Sequence, residues 1–331
     1  MAGEFDLIDR YFGQRSARRV NPLIPIGIGD DCAAVTLAPG ATLLTSVDTF
    51  SEGVHFFSGA DAFAVGHKAL AVNLSDLAAC GAEPVACLLA LALPGVSDDW
   101  MAGFSAGFSR LSDQFSCPLI GGDTTAVRRG SGITISVTVL GQVPNESTIL
   151  MRKNAQVGDD IWVSGSLGAA ALSVAWQSDA TTLPPIDTEA LLQAKRSLEY
   201  PEPRIALGIA LRHIAHACID LSDGLQSDLG HILKASGNLG AHLHASAVPY
   251  STVLAALPMA LRQHLALAGG DDYELCFTAP VEHEARVRHI GHSLAVPLSR
   301  IGTVTANTGI DFETIDGEHI NLEGRAYEHF K

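Results

Sequence analysis

Residues 41–93 read ATLLTSVDTFSEGVHFFSGADAFAVGHKALAVNLSDLAACGAEPVACLLALAL, and this stretch decides the fold class. Residues 41–47 predict a strand, residues 60–77 have helical periodicity, and residues 85–93 form an apolar run of strand length. Residues 98–115 then predict a second helix. Strands that alternate with helices in this way are typical of an α/β domain.

The pattern continues to residues 133–143, where Ile, Thr, Ser and Val alternate as in a β-strand. The polar segment 144–160 interrupts it, and a new strand at 161–164 runs into a glycine-rich turn and an alanine-rich helix. We therefore predict two domains, residues 1–150 and residues 151–331. Domains of roughly 100–200 residues are usual, so the length agrees with this division.

The composition excludes several classes of protein. The net charge of −15 argues against binding to nucleic acid or to an anionic membrane surface. The longest apolar stretch, residues 84–96, is interrupted by Pro94 and is shorter than the ~20 residues that a membrane-spanning helix needs. The N-terminus lacks the basic start and apolar middle of a signal peptide. The six cysteines are scattered without a C-x-x-C motif, so we expect a reducing compartment and a cytoplasmic protein.

Six short segments carry the strongest chemical signal, because in each a small or apolar run leads to Gly or Ser and then to Asp. They are GIGDD at 27–31, SVDT at 46–49, NLSD at 73–76, GGDT at 121–124, DLSDG at 220–224 and GGDDY at 269–273. Any one such aspartate is most often a helix N-cap or a turn residue. At strand ends, however, loops gather functional groups.

If several of these aspartates converge, each close pair repels by ~1 kcal/mol in water and by more in a drier cleft, and a bound cation removes that cost. The candidate ligands are all oxygen atoms, which favours Mg²⁺ over zinc, and no segment fits an EF-hand. Mg²⁺ held by a few carboxylates is usually completed by nucleotide phosphates.

The common nucleotide-binding motifs are absent from the sequence. None of the five lysines follows a glycine, so there is no P-loop, and there is neither an H-R-D motif nor a G-x-G-x-x-G that opens a helix. The segment SGSLG at 164–168 lacks the first glycine of a nucleophile elbow and predicts a strand-to-helix turn. A phosphoryl-transfer enzyme with this sequence would therefore bind its nucleotide with neither a P-loop nor the motifs of protein kinases.

The segments GIGDDCA, VDT…GVHF, NLSDLAACGA, IGGDTT, IDLSDGL and GGDDYEL, in this order over nearly the whole chain, resemble the thiamine-monophosphate kinase family of the aminoimidazole-ribonucleotide-synthetase-like superfamily. The resemblance implies a mixed-sheet α/β N-terminal domain that dimerises through its strands, and an α+β C-terminal domain. It also implies Mg²⁺-dependent transfer of the ATP γ-phosphoryl group to thiamine monophosphate.

The resemblance assigns roles only to matching residues. For several Mg²⁺ ions it implies the ligands Asp30, Ser46, Val47, Asp48, Asp76, Asp123, Asp220 and Asp223. For ATP it implies Gly122, Asp123, Arg152 and Ser222. For thiamine monophosphate it implies His55, Asp271 and Tyr327. Val47 stands where the family commonly has Thr, so only its backbone carbonyl could bind a metal, and Asp271 stands where Glu is common.

This set contains no catalytic base, and a phosphate acceptor needs little help from one, so we expect direct transfer. Other functions stay open at this point. Selenophosphate synthetase would show a reactive Cys or selenocysteine and a Lys in a glycine-rich N-terminal segment, and the hydrogenase-maturation relative ends in Cys, whereas this chain ends in Lys331. A metal-binding protein without catalysis, in which the aspartates only stabilise the fold, is the alternative from another class.

Overall fold

A computed structural model describes residues 9–13, 22–95, 97–146, 149–314 and 316–321 of the chain. These residues form two compact units. The first is N-terminal and extends to residue 146, except for Ala78–Gly81, which group with the C-terminal unit that starts at Ile149.

The N-terminal unit is built on a four-stranded mixed sheet in the order β1-β4-β2-β3. The strands are β1 Thr42–Ser51, β2 Glu83–Leu93, β3 Leu119–Ala126 and β4 Thr134–Val143. The helices are α1 Ala62–Ala79 and α2 Asp98–Gln114. Only β2 and β3 pair in parallel, while β4 runs antiparallel to both β1 and β2.

One face of this sheet is covered by α1. In β4 every second residue is buried, and Leu77 of α1 lies against the backbone of Gly141. The opposite face exposes apolar side chains of β1, with Leu43 47% and Val47 60% exposed. The sheet thus has one packed face, while its other face, here called the open face, is uncovered at β1 and packs against residues 23–35 near β2.

The position of β4 corrects one expectation. Residues 133–143 alternate as in a β-strand, and an unpaired edge of such a strand would favour a dimer. Instead the strand pairs on both sides, with β1 and with β2, and in the described part of the chain β1 and β3 form the edges. The edge of β4 therefore gives no reason to expect a dimer. The surface available for dimer contacts is the open face of the sheet.

The C-terminal unit contains a seven-stranded mixed sheet in the order β11-β10-β7-β9-β5-β8-β6. The strands are β5 Asp160–Ser164, β6 Ala217–Asp220, β7 Gly240–His244, β8 Leu275–Ala279, β9 Leu298–Thr305, β10 Gly309–Glu313 and β11 His319–Asn321. The helices are α3 Ala169–Asp179, α4 Thr188–Glu199, α5 Ile205–Leu211, α6 Leu225–Ala235, α7 Met259–Leu267 and α8 Glu284–Leu294. Apolar side chains of α6 and of the strands form one core beneath the sheet.

The predicted fold class is confirmed, because each unit is a mixed sheet packed with helices. The sequence pattern missed β3, since two glycines and an aspartate weaken the strand signal of Leu119–Ala126. The predicted turn at residues 164–168 does join β5 to α3. None of the helices that the structure describes has the length and apolar character needed to cross a membrane.

Candidate active site

Three predicted metal ligands of the N-terminal unit come together between β1 and α1. Ser46 and Asp48 are two residues apart in β1 and so point to the same face, towards α1. The Ser46 hydroxyl donates a hydrogen bond to Oδ2 of Asp76 at 2.5 Å. The backbone N–H of Asp48 donates to Oδ1 of the buried Asn73 at 3.0 Å. Asn73 and Asp76 share one side of α1, so strand and helix hold the two carboxylates side by side.

The electrostatics of this pair favour a bound cation. Burial, and then the negative charge of Asp76, raise the pKa of Asp48 to about 6. Burial and a second carboxylate both disfavour the ionised form of such a carboxyl group, and a bound divalent cation would stabilise that form. The donors here are a hydroxyl and two carboxylates, which suit Mg²⁺.

We expect the metal-free Asp48→Asn variant to be more stable than the wild type at pH 7.5. The pKa of Asp48 in the folded state lies above the ~3.9 of an unfolded aspartate. The raised pKa therefore adds to the free energy of unfolding only at low pH, and this contribution is lost as the pH rises through 6. At pH 7.5 the wild type carries a partly buried charge that Asn does not. Thermal melts in EDTA should show a gain of about 1–3 kcal/mol, or roughly 2–8 °C, at pH 7.5 and almost none at about pH 3.5, where the unfolded aspartate is also mostly protonated. An equal gain at both pH values would rule out this explanation.

Gly122 and Asp123 lie on β3, the edge strand opposite to β1 in the same sheet. Asp48 pairs with Val137, Val137 with Leu89, and Leu89 with Gly122, so Asp48 and Gly122 share one row across four strands. Three strand spacings separate them by about 14 Å. A Cβ on Gly122 would lie 1.8 Å from the carbonyl oxygen of Leu89, so only glycine fits there.

Asp30 lies in a turn next to β2 and β3. The turn is closed by a backbone hydrogen bond from Ala34 to Ile26, and the carboxylate of Asp30 accepts the N–H of Asp31 at 2.9 Å. Apolar residues on both sides of this turn pack against Ile120 at the start of β3. The structure therefore places the turn of Asp30 beside the strand that carries Gly122 and Asp123.

His55 follows β1, and contacts with Ser51 and Phe50 orient its side chain. Its Nδ1 accepts the N–H of Ser51 at 3.0 Å, and its ring stacks on Phe50 with 5.4 Å between centroids. Because Nδ1 accepts, the neutral ring carries its proton on Nε2. The ring is thereby oriented as a hydrogen-bond donor through Nε2.

In the C-terminal unit, the segments DLSDG and GGDDYEL lie side by side. The N–H of Asp271 donates to the carbonyl of Ser222 at 2.9 Å, and that of Tyr273 to the carbonyl of Leu221 at 2.8 Å. A Cβ on Gly270 would lie 2.2 Å from the Ser222 carbonyl oxygen, so the close approach requires glycine. The structure thus brings Ser222 and Asp271 together, next to the end of β6.

Asp220 is the last residue of β6, and Asp223 lies in the loop that follows. The N–H of Asp223 donates to Oδ2 of Asp228 in α6 at 3.0 Å. Burial raises the pKa of Asp228 to about 8, and the charges of Asp223 and Asp220 act in the same direction. Arg152 lies nearby, because the adjacent carbonyl of Met151 accepts the N–H of Cys218 in β6.

Sequence reasoning missed the buried network that holds the GGDDYEL segment. Glu274 accepts the Ser164 hydroxyl at 2.5 Å and two N–H groups of Arg204 at 2.7 and 2.5 Å. Both oxygens of Asp272 accept the N–H of Gly168, and burial raises the pKa of Asp272 well above its usual range. The sequence offered one signal of this network, because two further acids, Asp272 and Glu274, lie within three residues of Asp271.

The structure also corrects where the aspartates lie. The sequence pattern suggested strand-end loops, but Asp48 is inside β1 and Asp123 is inside β3. Asp76 is inside α1, in agreement with the helix predicted at residues 60–77. Within the described residues, no three of the predicted aspartates lie close enough together to share one ion. In the N-terminal unit they are spread along the sheet. Tyr327 lies outside the described residues.

Comparisons with known proteins cover both units. The family model "AIR synthase related protein, N-terminal domain" matches residues 29–143, and the corresponding C-terminal model matches residues 156–314. The thiamine-monophosphate kinase of Escherichia coli K12 is 43% identical over 334 residues, which cover 99% of this chain and 98% of that protein.

Two solved structures are similar over almost the whole chain. The thiamine-monophosphate kinase from Stenotrophomonas maltophilia K279a has a TM-score of 0.84 at 43% identity, with 95% of this chain and 96% of that one covered. AaThiL complexed with AMPPCP and TMP has a TM-score of 0.74 at 28% identity, with 99% and 97% covered. Both structures thus match at least 95% of this chain.

Proposed function

Because this chain belongs to the thiamine-monophosphate kinase family, we propose that it transfers the γ-phosphoryl group of ATP directly to thiamine monophosphate with the help of Mg²⁺. It is an ATP-dependent phosphotransferase whose products are thiamine diphosphate and ADP. The observation that carries the assignment is 43% identity to a kinase of this name over 99% of the chain. The superfamily alternatives are set aside on that ground.

The acceptor is itself a phosphate ester, and this determines what the site must do. With a second pKa near ~6, the acceptor is largely a dianion at pH 7 and needs little help from a general base. The obstacle is the approach of one anion to another. Positioning the two anions and stabilising their charge are therefore the main tasks of the protein.

The donor atoms described above fit Mg²⁺, because all are oxygens and because Asp48 and Asp76 crowd two carboxylates together. The proposed ligands are Asp30, Ser46, the Val47 carbonyl, Asp48, Asp76, Asp123, Asp220 and Asp223. When bound, Mg²⁺ would neutralise phosphate charge and hold ATP and acceptor oxygens in line. The number of ions is several, since these ligands are spread over two units.

The remaining site residues act on the two substrates. We assign Gly122, Asp123, Arg152 and Ser222 to ATP, and His55, Asp271 and Tyr327 to thiamine monophosphate. Gly122 would contact a phosphate of ATP through its backbone. The Nε2–H of His55 can donate a hydrogen bond to the phosphate of thiamine monophosphate.

The two domains divide this work in our proposal. Residues 1–150 supply metal ligands, ATP contacts and dimer contacts, and residues 151–331 complete the active site. Synthesis of the diphosphate from ATP also fits a cytoplasmic enzyme.

The test of this function is release of ADP from ATP in the presence of thiamine monophosphate and Mg²⁺. ADP should form only when both substrates are present, in a 1:1 ratio to thiamine diphosphate. If the protein binds Mg²⁺ but releases no ADP, the aspartates only bind metal and the kinase proposal is wrong.

His55→Ala should weaken the use of thiamine monophosphate and leave ATP affinity nearly unchanged. Loss of a hydrogen bond to a charged acceptor costs about 1.5–3 kcal/mol, which corresponds to a roughly 10–150-fold lower kcat/KM. Steady-state kinetics for thiamine monophosphate and direct nucleotide binding measure the two effects separately.

A matched variant distinguishes hydrogen bonding from packing. His55→Phe keeps a ring that can stack on Phe50 but removes the donor. We expect His55→Phe to melt like the wild type and to show the same loss of kcat/KM as His55→Ala. If His55→Phe is fully active, the role of His55 is packing alone.

We propose that the protein is a homodimer joined through the open face of the N-terminal sheet, where Leu43 and Val47 are exposed. Light scattering at micromolar concentration should give about twice the chain mass of 34.7 kDa. Leu43→Glu should produce monomers, whereas Leu192→Glu, which changes an equally exposed leucine in α4, should not. A wild-type mass of one chain would contradict the proposal.

A further inference from the structure

The outer face of the C-terminal sheet carries a group of histidines and carboxylates on three adjacent strands, which we call the ladder. Asp311 of β10 pairs in register with His242 of β7, and Glu313 pairs both with His244 and with His319 of β11. The residues between them, such as Leu243 and Phe312, are buried in the core on the other face. The ladder consists of His242, His244, Asp311, Glu313 and His319.

One end of the ladder forms a first triad of ligand atoms. Nδ1 of His242 lies 2.7 Å from Oδ2 of Asp311, and Nδ1 of His319 lies 3.0 Å from the same oxygen. Ligand atoms of a tetrahedral zinc site, at bonds of 2.0–2.1 Å, are about 3.3 Å apart. Both nitrogens lie about 0.3–0.6 Å closer to this oxygen than that spacing, so small outward shifts would bring the two nitrogen–oxygen distances to the value of a zinc site.

The other end forms a second triad that shares His242. Nδ1 of His244 lies 2.7 Å from Oε2 of Glu313, and Nε2 of His242 lies 3.5 Å from that oxygen. In each triad, one atom from each of the three residues lies within 4.8 Å of the other two. His242, whose side chain is 28% exposed, is thus common to both possible sites.

The chemistry of these atoms selects a class of metal ion. Imidazole nitrogens with one carboxylate suit borderline first-row ions such as Zn²⁺ or Ni²⁺, whereas Mg²⁺ prefers oxygen ligands alone.

We propose that the ladder binds one borderline divalent ion, such as Zn²⁺, with His242 as the essential ligand. This site is separate from Asp220, because β7 and β6 are four strand spacings apart in the sheet, or about 19 Å. A bound ion would link β7 to β10, and through His319 also to β11. The proposal does not depend on the kinase activity.

The test is zinc titration of the untagged, EDTA-stripped full-length protein by calorimetry, with millimolar Mg²⁺ present to fill the oxygen sites. We expect one Zn²⁺ per chain with a Kd of about 10 µM or tighter. Loss of a direct ligand should weaken metal affinity at least as much as loss of a supporting residue does, which is about tenfold or more. His242→Ala should show that loss, while His289→Ala, which removes an exposed histidine of α8 outside the ladder, should bind zinc like the wild type.

Two further variants show which triad holds the ion and guard against misfolding. His319 is 58% exposed on its side chain, so His319→Ala should not disturb the core. Either His319→Ala or His244→Ala should weaken zinc binding by a similar factor, and all variants should keep wild-type kinase activity in Mg²⁺. Binding only at millimolar zinc, equal affinity of His242→Ala and the wild type, or no effect of both His319→Ala and His244→Ala would overturn the proposal.

Discussion

Asp48→Asn is expected to lower kcat by about 100- to 1,000-fold, the size of effect seen when one group that stabilises transition-state charge is removed. The carboxylate lies beside Asp76 in a partly buried position, where an amide cannot replace the negative charge that a cation needs. Asparagine has nearly the same size, so packing against α1 is retained. Single-turnover and steady-state rates of ADP formation at saturating Mg²⁺ measure the loss.

The stability of the same variant excludes unfolding as the cause. Metal-free Asp48→Asn should melt at or above the wild-type temperature at pH 7.5, because a disfavoured charge is removed. Asp123→Asn should reduce turnover to a similar degree, and Asp99→Asn, in an exposed acid of the first turn of α2, should not. Near wild-type turnover of Asp48→Asn or Asp123→Asn would show that the residue concerned is not a ligand, and a greatly lowered melting temperature would show that its role is structural.

Removal of divalent cations by EDTA is expected to abolish ADP formation, and added Mg²⁺ should restore it. Without cations, two anionic substrates meet in a chain of net charge −15, and half of its predicted site residues are aspartates. Uncompensated repulsion of this kind adds several kcal/mol to the barrier, and each ~1.4 kcal/mol lowers the rate tenfold.

The Mg²⁺ concentration that the enzyme needs should depend on pH in one direction. Protons compete with Mg²⁺ for Asp48, so the Mg²⁺ concentration that gives half-maximal activity should rise as the pH falls below about 6. Circular dichroism should show that the EDTA-treated protein stays folded. Full activity in metal-free buffer would refute the Mg²⁺ requirement.

Much of the fold was accessible from local patterns. The predicted helix at residues 60–77 corresponds to Ala62–Ala79, and the predicted strand at 133–143 to Thr134–Val143. These elements are long and strongly periodic, so neighbouring residues carry enough information to identify them. The strand Leu119–Ala126 was not accessible in this way, because its glycines have low strand propensity and pairing with β2 supplies its stability.

The candidate site was accessible only in part. The aspartates were recognisable from their repeated Gly-Asp and Ser-Asp segments and from the family resemblance, and Asp48 and Asp76 do come together. The placement of Asp48 and Asp123 inside strands was not visible, because a pattern of five residues does not show where an element ends. The role of Glu274 was not predicted for another reason, because its partners Ser164 and Arg204 are 110 and 70 residues away along the chain.

By itself the sequence determined the fold class, the oxygen-rich chemistry of the site and the family to which the chain belongs. These depend on residue types and on short spacings, which the covalent chain sets directly. The tertiary structure alone decided that Asp76 faces Ser46, that β4 is an inner strand rather than an edge, and that His242 lies between Asp311 and Glu313. Each of these depends on strand order and register, which arise when distant segments bury a common apolar face, and no local pattern contains that information.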